Sequence, residues 1–417
     1  MRVNRKHVFI VVILFSASFA GITSAVLLIS SHKSFNSQIR YLMAKYKIPS
    51  LAAGIIINDS LVWANGFGDQ PDLDTVYMIG SITKTFTATA IMQLNESSMI
   101  NLDEDINNYL PFEVRHPSYS NIPITTHMLL THTAGLQTNL FWSLEYYLDN
   151  YTIEWINSHL DFGENITIWE HRPTLEEFLN GSLTPGGDYY DPYNWYKKPG
   201  TEFHYSNAGF QLLGYLIEQI TNQSFTDLVQ ENIFNPLNMT NSGYNYADFT
   251  GKNAIPYEWK DDENFEFPYY NLNVEGAGNL RSTVPDMAKY LIAYMNQGKY
   301  NETKLINPES VEIMHFTHVS LTGTSTEGFT YKGYGLGWFL YEENFKGHSG
   351  ATPGFSANMY FKKTNEGSFG VILMFNRGSA LLLDLLLLNE FIPAINALLL
   401  GEAEKKFEQT LSLEKFV

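Results

Sequence analysis

Ser81 and Lys84 are the residues of this sequence whose types and spacing suit covalent chemistry. They lie three apart just after Gly80, at the entry to a run that is mostly apolar from Phe86 onward. Apolar residues nearly all round predict a buried helix, and helical residues three apart share a face. The Ser81 hydroxyl would then meet the Lys84 amine. A serine hydroxyl is a weak nucleophile until a neighbouring base takes its proton. A lysine acts as that base only if burial or nearby positive charge lowers its pKa. A helix N-terminus adds positive potential and free N–H groups that can receive an oxyanion. Ser-x-x-Lys alone is a weak pattern, because Ser30 with Lys33 and Ser412 with Lys415 repeat it.

Two other short patterns carry chemistry. Tyr205-Ser206-Asn207 follows a turn forced by Pro199-Gly200 and precedes an apolar helical stretch at 212–220, so Tyr205 and Asn207 stand on that helix's rim. Tyr-x-Asn recurs at Tyr119, Tyr269 and Tyr294. His348-Ser349-Gly350-Ala351 lies between predicted strands at 333–340 and 356–361, and His-x-Gly occurs nowhere else in the chain. Small residues at 349–351 let a substrate lie along a strand edge, with the polar side chain of His348 facing the cleft. His127 and His132 have neither the spacing nor a carboxylate partner expected of metal ligands and read as structural.

The elements that must position these groups are legible in outline. A helix is expected over 32–48, ended by Pro49. Apolar runs at 51–57 and 61–64 around Asn58-Asp59-Ser60 predict a hairpin. A short buried helix is expected over 124–136, capped by Gly135. The stretch 137–197 holds 14 aromatic residues, among them Trp142, Tyr146, Trp155 and Trp195. It reads either as a wall over a binding cleft or as the core of an added helical region. Residues 221–315 look helical, with turns at Asn235-Pro236 and at 275–278 and a capped helix start at Ser282-Thr283. A strand is expected at 369–375 and a packed apolar helix at 380–400.

Composition bounds the function. The chain has 417 residues, 44% of them hydrophobic, and a net charge of −18. That is ample for a large core and argues against a nucleic-acid partner. With no cysteine, thiol catalysis, disulfides and Cys-ligated metals are excluded. Arg2, Arg5 and Lys6 precede an uncharged apolar run over 8–29. Its length suits a membrane anchor with a cytoplasmic start, and a cleaved signal segment is the alternative. Either way the remaining chain, 32–417, is expected outside the cytoplasm. Eight Asn-x-Ser/Thr sequons are compatible with that side of a membrane.

Ser81-x-x-Lys84, Tyr205-x-Asn207 and His348-x-Gly350, in this order, resemble the serine β-lactamase-related family of class C β-lactamases, D-Ala-D-Ala carboxypeptidases and related esterases. The likeness runs from about residue 37 to 400 and includes Thr131-His132-Thr133, Leu280-Arg281-Ser282 and the stretch 347–354. It implies an α+β fold, in which an antiparallel sheet built from both chain ends is flanked by helices around an inserted, largely helical region. It also implies that Ser81 is the acylated nucleophile, that Lys84 and Tyr205 share proton transfer, and that Asn207 binds substrate and orients Lys84. His348 takes the place usually held by the lysine of Lys-Thr-Gly. Ser349, Gly350 and Ala351 border the substrate, and the N–H groups of Ser81 and Ala351 form the oxyanion hole. No metal or cofactor is implied, and the partner is a small-molecule or peptide substrate.

The expectation is therefore an extracytoplasmic serine hydrolase acting on an amide or ester through an acyl-enzyme. A true β-lactamase or D-Ala-D-Ala carboxypeptidase is the nearer alternative, and a non-catalytic binding module on the same fold is the alternative of another class. A metal hydrolase lacks a His-x-x-x-His motif here, and an α/β-hydrolase lacks its Gly-x-Ser-x-Gly elbow.

Overall fold

The computed structural model describes residues 34–137, 146–160, 165–260, 262–378 and 385–414. The expected N-terminal anchor over 1–31 lies outside them, as do parts of the aromatic stretch and the start of the last helix. Among the described residues, no helix is long and apolar enough to cross a membrane.

The helix expected after residue 32 is α1 (Phe35–Lys45). The paired apolar runs then form a hairpin, β1 (Ser50–Ile57) and β2 (Ser60–Gly68). Asn58 turns it with φ 53°, a left-handed conformation that Asn adopts more readily than most residues. Six later strands complete the sheet: β3 (Val319–Ser320), β4 (Tyr331–Tyr334), β5 (Phe339–Tyr341), β6 (Phe345–Thr352), β7 (Phe355–Lys363) and β8 (Ser368–Phe375). Their order is β2-β1-β8-β7-β6-β5-β4-β3, antiparallel throughout. Residues 51–57 of β1 pair with 369–375 of β8, so the two ends of the chain share one sheet, as the family resemblance implies.

Alternation along the strands divides the core into two layers. Val371 and Leu373 join Ile39 and Leu42 of α1 and Phe391 and Ile395 of α5 (Leu385–Glu414). Ile372 and Met374 face the opposite layer, which holds α2 (Thr83–Glu96), α3 (Asn207–Thr221) and α4 (Val284–Met295). Eleven of the 14 residues of α2 are buried. Its threonines tolerate this because their hydroxyls find carbonyls: Thr85 donates to Ile82 O at 2.8 Å and Thr87 to Gly276 O at 2.7 Å. The expected cap at the start of α4 is Thr283, whose hydroxyl accepts from Asp286 N.

Four details depart from the sequence reading. The helix expected over 124–136 covers only Thr126–Leu130, because His132 turns left-handed at φ 57°. The single strand expected over 333–340 is two, β4 and β5, joined by a turn in which Gly337 has φ 78°. The stretch 221–315 also contains a hairpin, Tyr257–Lys260 with Glu263–Glu266, and a strand Arg281–Ser282 that pairs with Tyr77–Met78. The last helix continues to Glu414 despite Pro393. The described aromatics of 137–197 serve mainly as core, with Tyr146 stacked on Phe178 at 3.5 Å and Trp155 against Phe267 at 5.0 Å.

Candidate active site

The turn Gly80–Ile82 leads directly into α2. Gly80 takes φ 53°, which costs glycine little, and this aims the half-buried Ser81 outward from the helix entry. Lys84, one turn on, is fully buried. Its Nζ lies 2.9 Å from Ser81 Oγ and donates to Ala277 O at 2.7 Å. Ala277 belongs to the turn at 275–278, whose small residues let the backbone approach α2 and α3 closely. Burial holds the Lys84 amine well below the usual lysine range, so the neutral amine, a base, is favoured.

Tyr205 and Asn207 flank Ser206, the N-cap of α3, whose hydroxyl accepts from Gly209 N at 3.1 Å. The Tyr205 ring centroid lies 4.9 Å from Lys84 Nζ. The Ser81 hydroxyl acts to lower the Tyr205 pKa, but burial outweighs it and pushes the phenol up. Tyr205 therefore stays protonated near neutrality. Asn207 occupies the first position of α3 and does not line the cleft itself.

His348 enters from β6, buried to 1% exposure. Its Nδ1 donates to Ser349 O at 2.6 Å, which leaves Nε2 as the acceptor nitrogen. Among the described residues that Nε2 has no hydrogen-bond partner. Burial and the nearby Lys84 push the imidazole down to about 3. Beside it, β6 and the Ser81 turn press backbone on backbone. A Cβ on Gly350 would lie 2.8 Å from Ser81 N, and one on Gly80 would lie 2.8 Å from Ala351 N. Glycine at both positions lets the Ser81 turn and residues 350–351 of β6 lie backbone against backbone.

A cleft of about 370 Å³ is lined by Ser81, Tyr205, His348, Ser349, Gly350 and Ala351. Tyr331, Phe339 and Glu327 continue its wall, as do Leu388 and Ile392 of α5. None of the described residues of 137–197 lines it. Among the described residues no group of His, Asp and Glu has the arrangement of a metal site.

Sequence reasoning missed one contributor to this site. His132 is buried; its Nδ1 accepts from Ser206 N at 3.1 Å and its Nε2 meets Tyr334 Oη at 3.2 Å. Its ring packs 4.4 Å from that of Tyr205. It thus holds the backbone that carries Tyr205 and walls the phenol. His127, its companion in the sequence, contacts His318 instead, at 3.0 Å. His132→Asn retains a residue that tolerates the left-handed backbone and an acceptor at the δ position for Ser206 N, but it loses the Nε2 that meets Tyr334 and the ring that walls Tyr205. It is expected to lower kcat by about 10- to 100-fold, as misplacement of a reacting group does, with KM little changed. Steady-state kinetics check this, and an unchanged kcat would deny His132 a positioning role.

A family model described as Beta-lactamase matches residues 35–381. Protein flp of Staphylococcus aureus is 25% identical over 361 residues, covering 84% of this chain and 64% of flp. The chain thus spans less than two thirds of that curated relative. Among solved structures, the octameric penicillin-binding protein homologue from Pyrococcus abyssi superposes with a TM-score of 0.69 and 28% identity, over 88% of this chain and 77% of that one. A beta-lactamase/D-alanine carboxypeptidase from Yersinia pestis, solved with citrate, superposes with a TM-score of 0.62 and 19% identity, over 92% of this chain and 100% of that one. At that identity the likeness is one of fold.

Proposed function

We propose that this chain, which belongs to the beta-lactamase family, hydrolyses an amide or ester through an acyl-enzyme on Ser81 and works outside the cytoplasm. The observation that carries the chemistry is a buried lysine amine 2.9 Å from a serine hydroxyl at a helix entry. The location rests on the uncharged apolar run at 8–29 behind Arg2, Arg5 and Lys6. Protease treatment of intact cells tests it: an outside domain is cut and an inside one is protected.

In this reading neutral Lys84 takes the Ser81 proton as Oγ attacks the carbonyl carbon. The resulting oxyanion sits between the N–H groups of Ser81 and Ala351. Tyr205, a phenol kept protonated by burial, gives its proton to the leaving nitrogen or oxygen as that bond breaks. The Lys84 ammonium returns a proton to Tyr205. Water then repeats the sequence on the ester of Ser81 and releases the acid. Asn207, set back from the cleft at the first position of α3, is left the role of orienting Lys84, and Ser349 and Gly350 border the bound chain. His348, neutral through the physiological range, orders the β6 edge and presents an acceptor nitrogen.

By the family resemblance His348 stands where the lysine of Lys-Thr-Gly is usual, so this site lacks that permanent cation. Hydrolysis of 4-nitrophenyl esters and of a chromogenic cephalosporin by the full chain separates the two. Ester turnover with an initial burst, exceeding cephalosporin turnover by about 10²-fold or more, is the expected result. Comparable rates on both would favour a true β-lactamase, and no turnover of either would favour a non-catalytic module.

A further inference from the structure

The charges in the cleft point to the substrate. Of its described lining residues, only Glu327 is formally charged, and none is Lys or Arg. The one lysine at the site, Lys84, lies fully buried behind Ser81. Lys346, two residues before His348, bonds instead to Asn344 Oδ1 at 2.9 Å and lies over Phe361. A substrate carboxylate therefore meets no cation on this wall.

Glu327 is built into place. It lies in a tight turn closed by Ser325 N to Phe329 O at 2.8 Å. Phe329 anchors that turn against Tyr341 and Tyr360, at 4.9 and 4.5 Å between ring centroids. The Glu327 backbone carbonyl accepts from Asn396 Nδ2 of α5 at 3.4 Å, and Asn396 Oδ1 accepts from Asn358 Nδ2 of β7 at 3.3 Å. Thr326 Oγ1 donates to its carboxylate at 3.0 Å, and among the described residues no Lys or Arg pairs with it. Burial raises the Tyr331 phenol on this wall, and the Glu327 charge adds to that rise.

The direction of the charge follows from the ring contacts. Tyr205 is the group placed to protonate the leaving atom. From Tyr205 the wall runs to Phe339, at 6.3 Å, and on to Tyr331, at 5.4 Å, where Glu327 acts. A leaving group that takes its proton from Tyr205 and extends along this wall would reach the Glu327 carboxylate.

We propose that Glu327 makes this cleft select a leaving group that carries a protonated amine over one that carries a carboxylate. The inference rests on the hydrolase reading above and adds the class of its substrate: amides or esters of amino-bearing alcohols, thiols or amines.

Three thioesters with one acyl group test it. Their leaving thiols are 2-(dimethylamino)ethanethiol, 2-mercaptoethanol and 3-mercaptopropionate, and thiol release by the full chain is followed with a chromogenic disulfide. The expected order of kcat/KM is cation, neutral, anion, with about tenfold per step, the scale of one unscreened charge contact. Glu327→Gln is expected to shrink the cation-to-anion ratio about tenfold or more, and Glu327→Lys to invert the order. High salt should flatten it. An anion hydrolysed as well as the cation, or an order that survives Glu327→Gln, overturns the proposal.

Binding gives a second readout. Calorimetry on the Ser81→Ala chain compares amides of the same acid with N,N-dimethylethylenediamine and with β-alanine. Tighter binding of the cationic amide supports Glu327 selection without any turnover. Equal binding, or tighter binding of the anion, refutes it whatever the hydrolase reading's fate. Absence of Ser81-dependent turnover counts against that reading alone.

Discussion

Gly350→Ala is expected to lower kcat/KM by about 10³-fold while leaving the protein folded. A Cβ at this position would lie 1.9 Å from Ile79 O, 2.9 Å from Ile79 C and 2.8 Å from Ser81 N. All three are backbone atoms, so no side chain can swing aside. Ordinary carbon–oxygen contacts begin at about 3.3 Å, and β6 must therefore retreat from the Ser81 turn by about an ångström. That retreat separates the N–H of Ala351 from the N–H of Ser81. Losing one oxyanion donor costs about 10²–10³-fold, and a shift of about 1 Å in the reacting geometry costs about 10²-fold in its own right. Gly401 provides the control: it lies in α5, and a Cβ there meets nothing within 4 Å. Gly401→Ala should stabilise the chain by about 0.5–1 kcal/mol without loss of activity. Steady-state kinetics and thermal melts of the two variants decide the matter. A Gly350→Ala enzyme with near-normal kcat/KM would mean that β6 and the turn do not form one oxyanion site.

Lys84→Met is expected to abolish activity, by about 10³-fold or more, and to change how stability depends on pH. Burial lowers the folded-state pKa of Lys84 well below its usual value. Unfolded, the side chain binds a proton below about pH 10.4. Between the lowered folded value and pH 10.4 the unfolded state therefore holds one proton more. Stability from this group is fully present only above pH 10.4 and falls by about 1.36 kcal/mol for each unit that pH is lowered through that window. The Met variant lacks this loss. It also leaves the Ala277 carbonyl without its donor, a cost that does not vary with pH. Urea unfolding of both proteins at pH 7, 8 and 9 should show the wild type losing ground to the variant as pH falls. Parallel pH dependences would mean that the folded protein keeps Lys84 charged, and it could not then be the base.

What the sequence disclosed and what it concealed have physical causes. Ser81 and Lys84 were readable because spacing of three on a helix brings side chains together without help from the rest of the fold. The hairpin of β1 and β2 was readable because local turn residues separate two apolar runs. The sheet made from both chain ends was reached through family resemblance, since pairing of β1 with β8 has no local signature. The overlong helix at 124–136 arose because apolar periodicity continues past Leu130, whereas the left-handed backbone at His132 is a tertiary requirement for reaching Ser206. The aromatic stretch left two readings open. Tyr146, Phe178 and Trp155 serve as core because their partners, such as Phe267, are remote in the chain. Glu327 has no local signature: it is one carboxylate in a polar loop, and Asn396, which holds its backbone at the cleft, is remote in the chain. The Ala277 carbonyl that holds Lys84 had only the small residues at 276–278 to announce it.

The most direct test of the central claim is covalent. The full chain and its Ser81→Ala variant would be treated with a fluorophosphonate probe, then weighed intact and mapped by peptide. One adduct per wild-type chain, on the peptide containing Ser81 and absent from the variant, is the result expected of an activated serine. Equal labelling of both proteins, or an adduct on another residue, would contradict the assignment of Ser81 as the nucleophile.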